Sequence, residues 1–264
     1  FMNFSELKEL SAYINTLADA SKKITSKGFG CNFFSETKKD GSPVTKFDIN
    51  AEKIICDQIL KKFPNHNIVA EENGSVTNES DYTWIIDPID GTRSYIIGRP
   101  LWGTLIGFAF KGQPLIGLAD FPALNERWLG IGNNCFLNDL DYHFKANEIK
   151  NLSEATIAST SPSLFSVEGS TKYKKLLDKA KYHTWSGDCH NYCLVLKGGL
   201  DLVVEEGLSS YDILPLVPIL KSQNIKITDW EGKELKLEND TFYKYKTIVA
   251  SSSEVYDQAI SLLK

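Results

Sequence analysis

The stretch Trp84-Ile85-Ile86-Asp87-Pro88-Ile89-Asp90-Gly91-Thr92-Arg93-Ser94-Tyr95 constrains this chain more than any other. Three apolar residues bounded by turn formers read as a short buried strand running into a tight turn. Pro88 has a fixed φ and biases Asp87 toward extended backbone, while Gly91 permits a sharp reversal. Thr92 is then placed to cap a helix beginning near Arg93. Two carboxylates beside the amides of a helix start suit a divalent cation together with a phosphate, because oxygens take the metal and N–H groups take the anion. Asp-Pro and Asp-Gly pairs are also ordinary turn punctuation, so the decision falls to the rest of the chain.

Before this stretch, Phe4, Leu7, Leu10, Ile14, Leu17, Ala18 and Ile24 recur at helical spacing, with Gly28 and Gly30 as the stop. Residues 38–45 read as a polar loop. Phe47, Ala51, Ile54, Ile55, Ile59 and Phe63 mark a second helix closed before Pro64, with Asp48 in its first turn, where a carboxylate suits the dipole. Residues 67–72 read as a strand running into Glu71 and Glu72. Residues 104–110, 114–120 and 126–131 read as an antiparallel meander, with a turn at Asn133-Asn134. In the second half, strands are expected at 157–160, 201–205, 225–228 and 247–250. Helices are expected at 173–180, at 186–197 with Ser186-Gly187-Asp188 as its cap, from an N-cap at Asp212, and at 254–263. Pro215 fits the first turn of the Asp212 helix, and Pro218 predicts a kink unless that helix starts later. No internal repeat or long linker is visible.

Four carboxylates therefore stand at the ends of different elements: Glu71, Asp87, Asp90 and Asp212. Brought together they would repel one another and raise their pKa values unless cations neutralised them. Oxygen ligands without neighbouring Cys or His favour Mg²⁺ or Mn²⁺ over zinc. The net charge of −5 and pI near 5.5 argue against a nucleic-acid partner. No apolar run reaches the length of a membrane span. Glu6, Glu9 and Asp19 interrupt any leader-like pattern, and five cysteines without a Cys-x-x-Cys pair suit reduced thiols. A cytoplasmic protein is the expectation.

Ala70-Glu71-Glu72, the stretch from Trp84 through Thr92, and Tyr211-Asp212 resemble, in order and spacing, the three motifs of the inositol monophosphatase family of metal-dependent phosphatases. The resemblance spans essentially the whole chain. It implies an α/β (α+β) fold, a layered αβαβα sandwich, in one phosphatase domain over 1–264 with lobes of about 1–150 and 151–264. It implies two or three Mg²⁺ per site, with Mn²⁺ as an alternative, held by Glu71, Asp87, the Ile89 carbonyl, Asp90 and Asp212. Glu71 and Thr92 would orient the attacking water, Asp48 would support Thr92, and Gly91, Thr92 and Arg93 would hold the phosphate of a small metabolite. A homodimer is also implied.

Within that family the chain is most similar to the histidinol-phosphatase branch, through Asp90-Gly91-Thr92-Arg93-Ser94-Tyr95, Gly98-Arg99-Pro100-Leu101-Trp102-Gly103-Thr104-Leu105, Gly187-Asp188-Cys189 and Asp229-Trp230-Glu231-Gly232. A cationic amino-alcohol leaving group calls for a carboxylate, and Asp188 and Glu205 are the candidates. Asp188 reads equally well as a plain N-cap. Only three arginines occur, Arg93, Arg99 and Arg127, and two lie beside the central stretch, where a rigid fork suits phosphate. Asn224 replaces a family glycine and is expected in a left-handed turn. The alternatives are the same hydrolysis on another phosphate monoester, such as inositol 1-phosphate, and a metal- or phosphate-sensing protein without turnover. Intact Glu71 and Thr92 speak against the latter, since a pure binder has no water to orient.

Overall fold

The computed structural model describes residues 4–31, 35–39, 41–145, 149–240 and 242–264. Helix α1 (Phe4–Gly28) carries the expected apolar stripe, and the anticipated loop holds the turn of a hairpin between β1 (Ser35–Thr37) and β2 (Pro43–Thr45), with its last three residues in the second strand. Asp40, within that loop, lies outside the described residues. Helix α2 (Lys46–Lys62) opens on a capping box between Thr45 and Asp48 and closes at Phe63, before Pro64.

Seven strands then lie side by side in chain order: β3 (Asn67–Ala70), β4 (Tyr82–Asp90), β5 (Gly103–Phe110), β6 (Gln113–Phe121), β7 (Glu126–Ile131), β8 (Asn134–Leu137) and β9 (Leu140–Tyr142). From β4 onward every neighbour is antiparallel, as the meander predicts, whereas β3 runs parallel to β4. The short helix α3 (Thr92–Ile96) follows β4.

The second half supplies β10 (Thr156–Ser159), α4 (Val167–Leu177), β11 (Tyr182–Trp185), α5 (His190–Leu196), β12 (Leu202–Leu208), α6 (Ser210–Ile213), α7 (Leu216–Lys221), β13 (Lys226–Thr228), β14 (Tyr245–Ala250) and α8 (Ser253–Leu263). Its strands form a mixed sheet in the order β11-β10-β12-β14-β13.

Three apolar clusters define the layers. Alternation along β4 sends Trp84 and Ile86 to one face, against Ile14, Leu17, Ile55 and Ile59 of α1 and α2. Ile85 faces the other way, with Leu105 and Trp128, into a cluster shared with Cys193 and Leu196 of α5, Val217 and Ile219 of α7, and Val203 and Val249 of the five-stranded sheet. Leu202, Val204 and Ile248 on the far face of that sheet pack with Tyr173 of α4 and Ala259 of α8. Helix pair, sheet, helices, sheet, helix pair: the αβαβα sandwich is observed.

A row of glycines decides how α6 and α7 approach the larger sheet. Gly107, Gly117 and Gly130 are paired across β5, β6 and β7. A Cβ on Gly117 would lie 1.8 Å from the Pro215 carbonyl oxygen, and one on Gly130 would lie 2.4 Å from Ile219 Cα. The row is a groove without side chains, and the chain through Pro215 lies in it.

Several local expectations change. Gly91, with φ of 87°, rather than Thr92, is the residue before α3, and Thr92 is its first helical residue. The helix expected at 173–180 starts earlier, at Val167, because Ser166 caps it, and the exposed edge strand β11 was not anticipated. Asp188 does not cap α5: it holds φ of 44° within a left-handed run from Ser186, and Cys189 is the cap residue. Asp212 is the third residue of α6, capped by Ser209 in a capping box. The late helix breaks at Leu214-Pro215, so Pro218 falls in the first turn of α7 and produces no kink. Asn224 adopts the left-handed conformation expected of it, with φ of 57°.

Candidate active site

Parallel pairing sets the first contact. Ala70 is in register with Ile86, so Glu71, one residue beyond β3, arrives beside Asp87. In a regular strand, residues three apart point to opposite faces, which would separate Asp87 from Asp90. The β4–β5 register slips between them, Asp87 pairing with Leu105 and Asp90 with Gly103, and this bulge returns Asp90 to the side of Asp87. Helix α6 brings Asp212 from the other half of the chain. Carboxylate oxygens of Asp87, Asp90 and Asp212 then lie within 4.8 Å of one another.

Like charges this close, out of water, hold their protons. Burial, then Glu71, Asp90 and Asp212, push the Asp87 carboxyl well above its usual range, and a carboxyl–carboxylate hydrogen bond to Glu71 pushes it further. Burial, Asp188 and Asp212 do the same to Asp90, against a hydrogen bond from the Cys189 amide at 2.6 Å. Burial and Glu71 raise Asp212 to about 7, opposed by the amide of Ser209 and by Lys244. Divalent cations coordinated by these oxygens would relieve that crowding, and an all-oxygen donor set matches Mg²⁺ or Mn²⁺.

Next to the trio, Thr92 Oγ1 lies 3.0 Å from the Ile89 carbonyl oxygen and 3.2 Å from Asp48 Oδ1. Asp48 is fully buried and accepts from both the backbone and the hydroxyl of Thr45 through Oδ2, so its position is set from two sides. Lys38, in the β1–β2 hairpin, donates to Glu71 at 2.8 Å and to Glu72 at 2.7 Å.

Asp188 closes the far side. A Cβ on Gly91 would lie 2.9 Å from the Leu101 carbonyl oxygen and 3.3 Å from Asp188 Oδ2, so that turn admits no side chain. Burial raises the Asp188 carboxyl to about 6 against the opposing pull of Arg93 and Arg99. Glu205 is 1% exposed and accepts from Ser159 Oγ at 3.0 Å and from the Thr160 amide and hydroxyl at 2.8 Å each. Burial raises it to about 7, with a smaller push from Asp188 and against the hydrogen bonds from Thr160 and Ser159. Arg93 is exposed, and Arg99 donates to Ser186 Oγ at 2.8 Å. Arg127 lies elsewhere, paired with Asp19 and Asp120 at 2.8 Å each.

The structure thus gathers Glu71, Asp87, Asp90 and Asp212, adds Asp48, Ile89, Gly91 and Thr92 at one side, and sets Asp188 near Gly91. Lys38, Ser209 and Lys244 were not anticipated. Nothing local marks the two lysines, since Lys38 reaches Glu71 across 33 positions and Lys244 reaches Ser209 across 35, whereas Ser209 stands three residues before Asp212 in a capping-box spacing. Glu52 was missed although a signal existed. It follows Asp48 by four residues and stands beside Ala51 and Ile55 in an otherwise apolar stripe.

A layered αβαβα fold with a carboxylate cluster at its strand ends defines a class, and comparison with known proteins gives the family. Residues 6–264 match the inositol monophosphatase family. The chloroplastic bifunctional phosphatase IMPL2 of Arabidopsis thaliana is 40% identical, over 98% of this chain and 76% of its own length. The histidinol-phosphatase of Chlorobaculum parvum is 32% identical, over 83% of this chain and 85% of its own. A solved inositol monophosphatase from Zymomonas mobilis is 32% identical with a TM-score of 0.85, covering 97% of this chain and 98% of that one. The chain belongs to the inositol monophosphatase family, whose members are phosphatases of small phosphorylated substrates.

Proposed function

We propose that this chain is a Mg²⁺-dependent phosphoric monoester hydrolase acting on histidinol phosphate. The observation that carries the hydrolase reading is the approach of Asp87, Asp90 and Asp212 oxygens within 4.8 Å, an arrangement of like charge that calls for cations. Glu71, Asp87, the Ile89 carbonyl, Asp90 and Asp212 are the proposed metal ligands. Bound there, divalent ions would screen phosphate charge and acidify a water, the chemistry such ions supply. Glu71 and Thr92 would orient that water, and its proton would pass to the Thr92 hydroxyl as that hydroxyl gives its own to Asp48. Gly91, Thr92 and Arg93 hold the phosphate.

The substrate reading rests on Asp188 and Glu205. Facing the leaving group, two carboxylates would attract a cationic amino alcohol by charge as well as by hydrogen bonds, whereas neutral inositol would offer them hydroxyl donors alone. Likeness to a protein named histidinol-phosphatase supports the same reading. A second reading, inositol phosphate, is favoured by the 32% identity to the Zymomonas structure. Phosphate release from histidinol phosphate and from myo-inositol 1-phosphate, both with Mg²⁺, decides between them. We expect a higher kcat/KM for histidinol phosphate, and the reverse order would refute the substrate.

The two halves, about 1–150 and 151–264, act in this reading as lobes of one domain, because Asp212 from the second completes the ligand set of the first. A homodimer belongs to the same proposal, and sedimentation of the protein tests it. Among the described residues no helix is long and apolar enough to cross a membrane, and all five cysteines are free thiols. We place the protein in the cytoplasm on the second of these, and fractionation tests that.

A further inference from the structure

One buried carboxylate beside the site has no part in the chemistry above. Glu52 is fully buried on α2, one turn beyond Asp48. A carboxylate in an apolar face is costly unless hydrogen bonds satisfy it, and here two backbone amides do. Oε2 accepts from the Glu72 amide at 2.7 Å, and Oε1 accepts from the Asn73 amide. These amides belong to the chain immediately after Glu71, where β3 has ended and its pairing with β4 no longer holds the backbone. Asn73 is tied to the same helix a second time, its Nδ2 donating to the Ile49 carbonyl at 3.3 Å.

We propose that Glu52 is a positioning residue that clamps the Glu71 segment onto α2. Asp48 and Glu52 stand one turn apart on that helix. The first reaches Thr92 and the second fixes the backbone beside Glu71. The two groups that flank the attacking water are therefore indexed to one rigid element. An apolar residue at position 52 would fill the core without ordering the Glu71 segment, which explains why a charge is placed there. The inference rests on the reading of Glu71 as a metal ligand.

The test is Glu52→Gln, which keeps the volume but leaves only one oxygen to accept from two amides. In metal-free protein, hydrogen exchange at the Glu72 and Asn73 amides is expected to speed up by about tenfold or more, with the α2 amides unchanged, as loss of a single local clamp requires. Mn²⁺ binding, read directly by electron paramagnetic resonance, is expected to weaken by about tenfold, the usual effect of losing a group that orients a metal ligand. In a Glu71→Gln background, Glu52→Gln is expected to add no further loss of Mn²⁺ affinity, because both substitutions act through the same ligand. Glu52→Asp, charged but one methylene short, is expected to behave like Glu52→Gln and covers the case in which the glutamine variant fails to fold. Unchanged amide exchange, or equal losses of Mn²⁺ affinity with and without Glu71, would overturn the proposal. If Glu71→Gln alone leaves Mn²⁺ affinity intact, Glu71 is not a ligand. That result removes the assignment of Glu71, whereas the amide exchange still judges the clamp.

Discussion

Asp212→Asn separates the electrostatics of the pocket from its chemistry. Burial and the neighbouring Glu71 raise the Asp212 carboxyl from 3.8 to about 7 in the folded protein. At about 1.4 kcal/mol per pH unit, an ionised Asp212 therefore costs the metal-free fold roughly 4 kcal/mol above about pH 7. The sign follows from proton binding. Between about pH 4 and 7 the native state keeps a proton that the unfolded chain has lost, so stability falls as pH rises through that window. Asparagine mimics the protonated form, and its oxygen can still accept from the Ser209 amide, which preserves the capping box. In excess chelator the variant is expected to match the parent near pH 4 and to exceed it by about 2–4 kcal/mol near pH 8, or roughly 5–15 °C in Tm for a chain of this size. With Mg²⁺ the difference narrows. The parent gains about 2.7 kcal/mol at a hundred times its dissociation constant, whereas the variant lacks a ligand charge and gains less. Thermal unfolding followed by circular dichroism, across pH and with either chelator or Mg²⁺, reads all of this. An Asn variant that is no more stable than the parent in chelator at pH 8, or one shifted equally in both conditions, would refute the account of the site as a cluster of acids awaiting cations.

Three further outcomes are expected. Thr92→Val removes the hydroxyl held between Ile89 and Asp48, and is expected to lower kcat by about 10²–10⁴-fold with Mn²⁺ binding retained, so lost metal binding would contradict its role. Asp188→Asn is expected to raise KM for histidinol phosphate about tenfold or more while changing that for a neutral monoester less than threefold, as a charge contact to the leaving group requires; equal effects on both would remove Asp188 from substrate recognition. Gly117→Ala forces a methyl group against the Pro215 carbonyl and is expected to cost at least about 1–3 kcal/mol in urea unfolding and to weaken Mn²⁺ binding by displacing α6, whereas a silent substitution would show that the glycine groove does not seat that helix.

Much of this protein is local enough to be written in single segments. The stripe from Leu10 to Leu17, the run Trp84-Ile85-Ile86 and the apolar runs of β5, β6 and β7 between their turns declare helix and strand without help from the remainder, because spacing and turn chemistry are set by local backbone geometry. The turn chemistry of Asp87 through Thr92 is also local, and it suggests a metal–phosphate site without deciding it against ordinary turn punctuation. Single segments misled where competing caps were available. Ser166 out-competed later starts for α4, and Ser209 took the cap expected of Asp212, since any Ser, Thr or Asp near a helix start can accept the first amides.

The amino-acid order by itself determined which side chains could ligate a hard cation, and that each stands at the end of an element. It did not determine that they meet. Their convergence depends on the parallel register that sets Glu71 beside Asp87, on the bulge that turns Asp90 back to the same side, and on the glycine groove that lets α6 carry Asp212 inward. The same holds for Lys38 and Glu52, which reach the Glu71 segment from 33 and 20 positions away along the chain. Contacts of that span are set by how whole layers pack, a global balance of buried area and close approach, and no residue window records it.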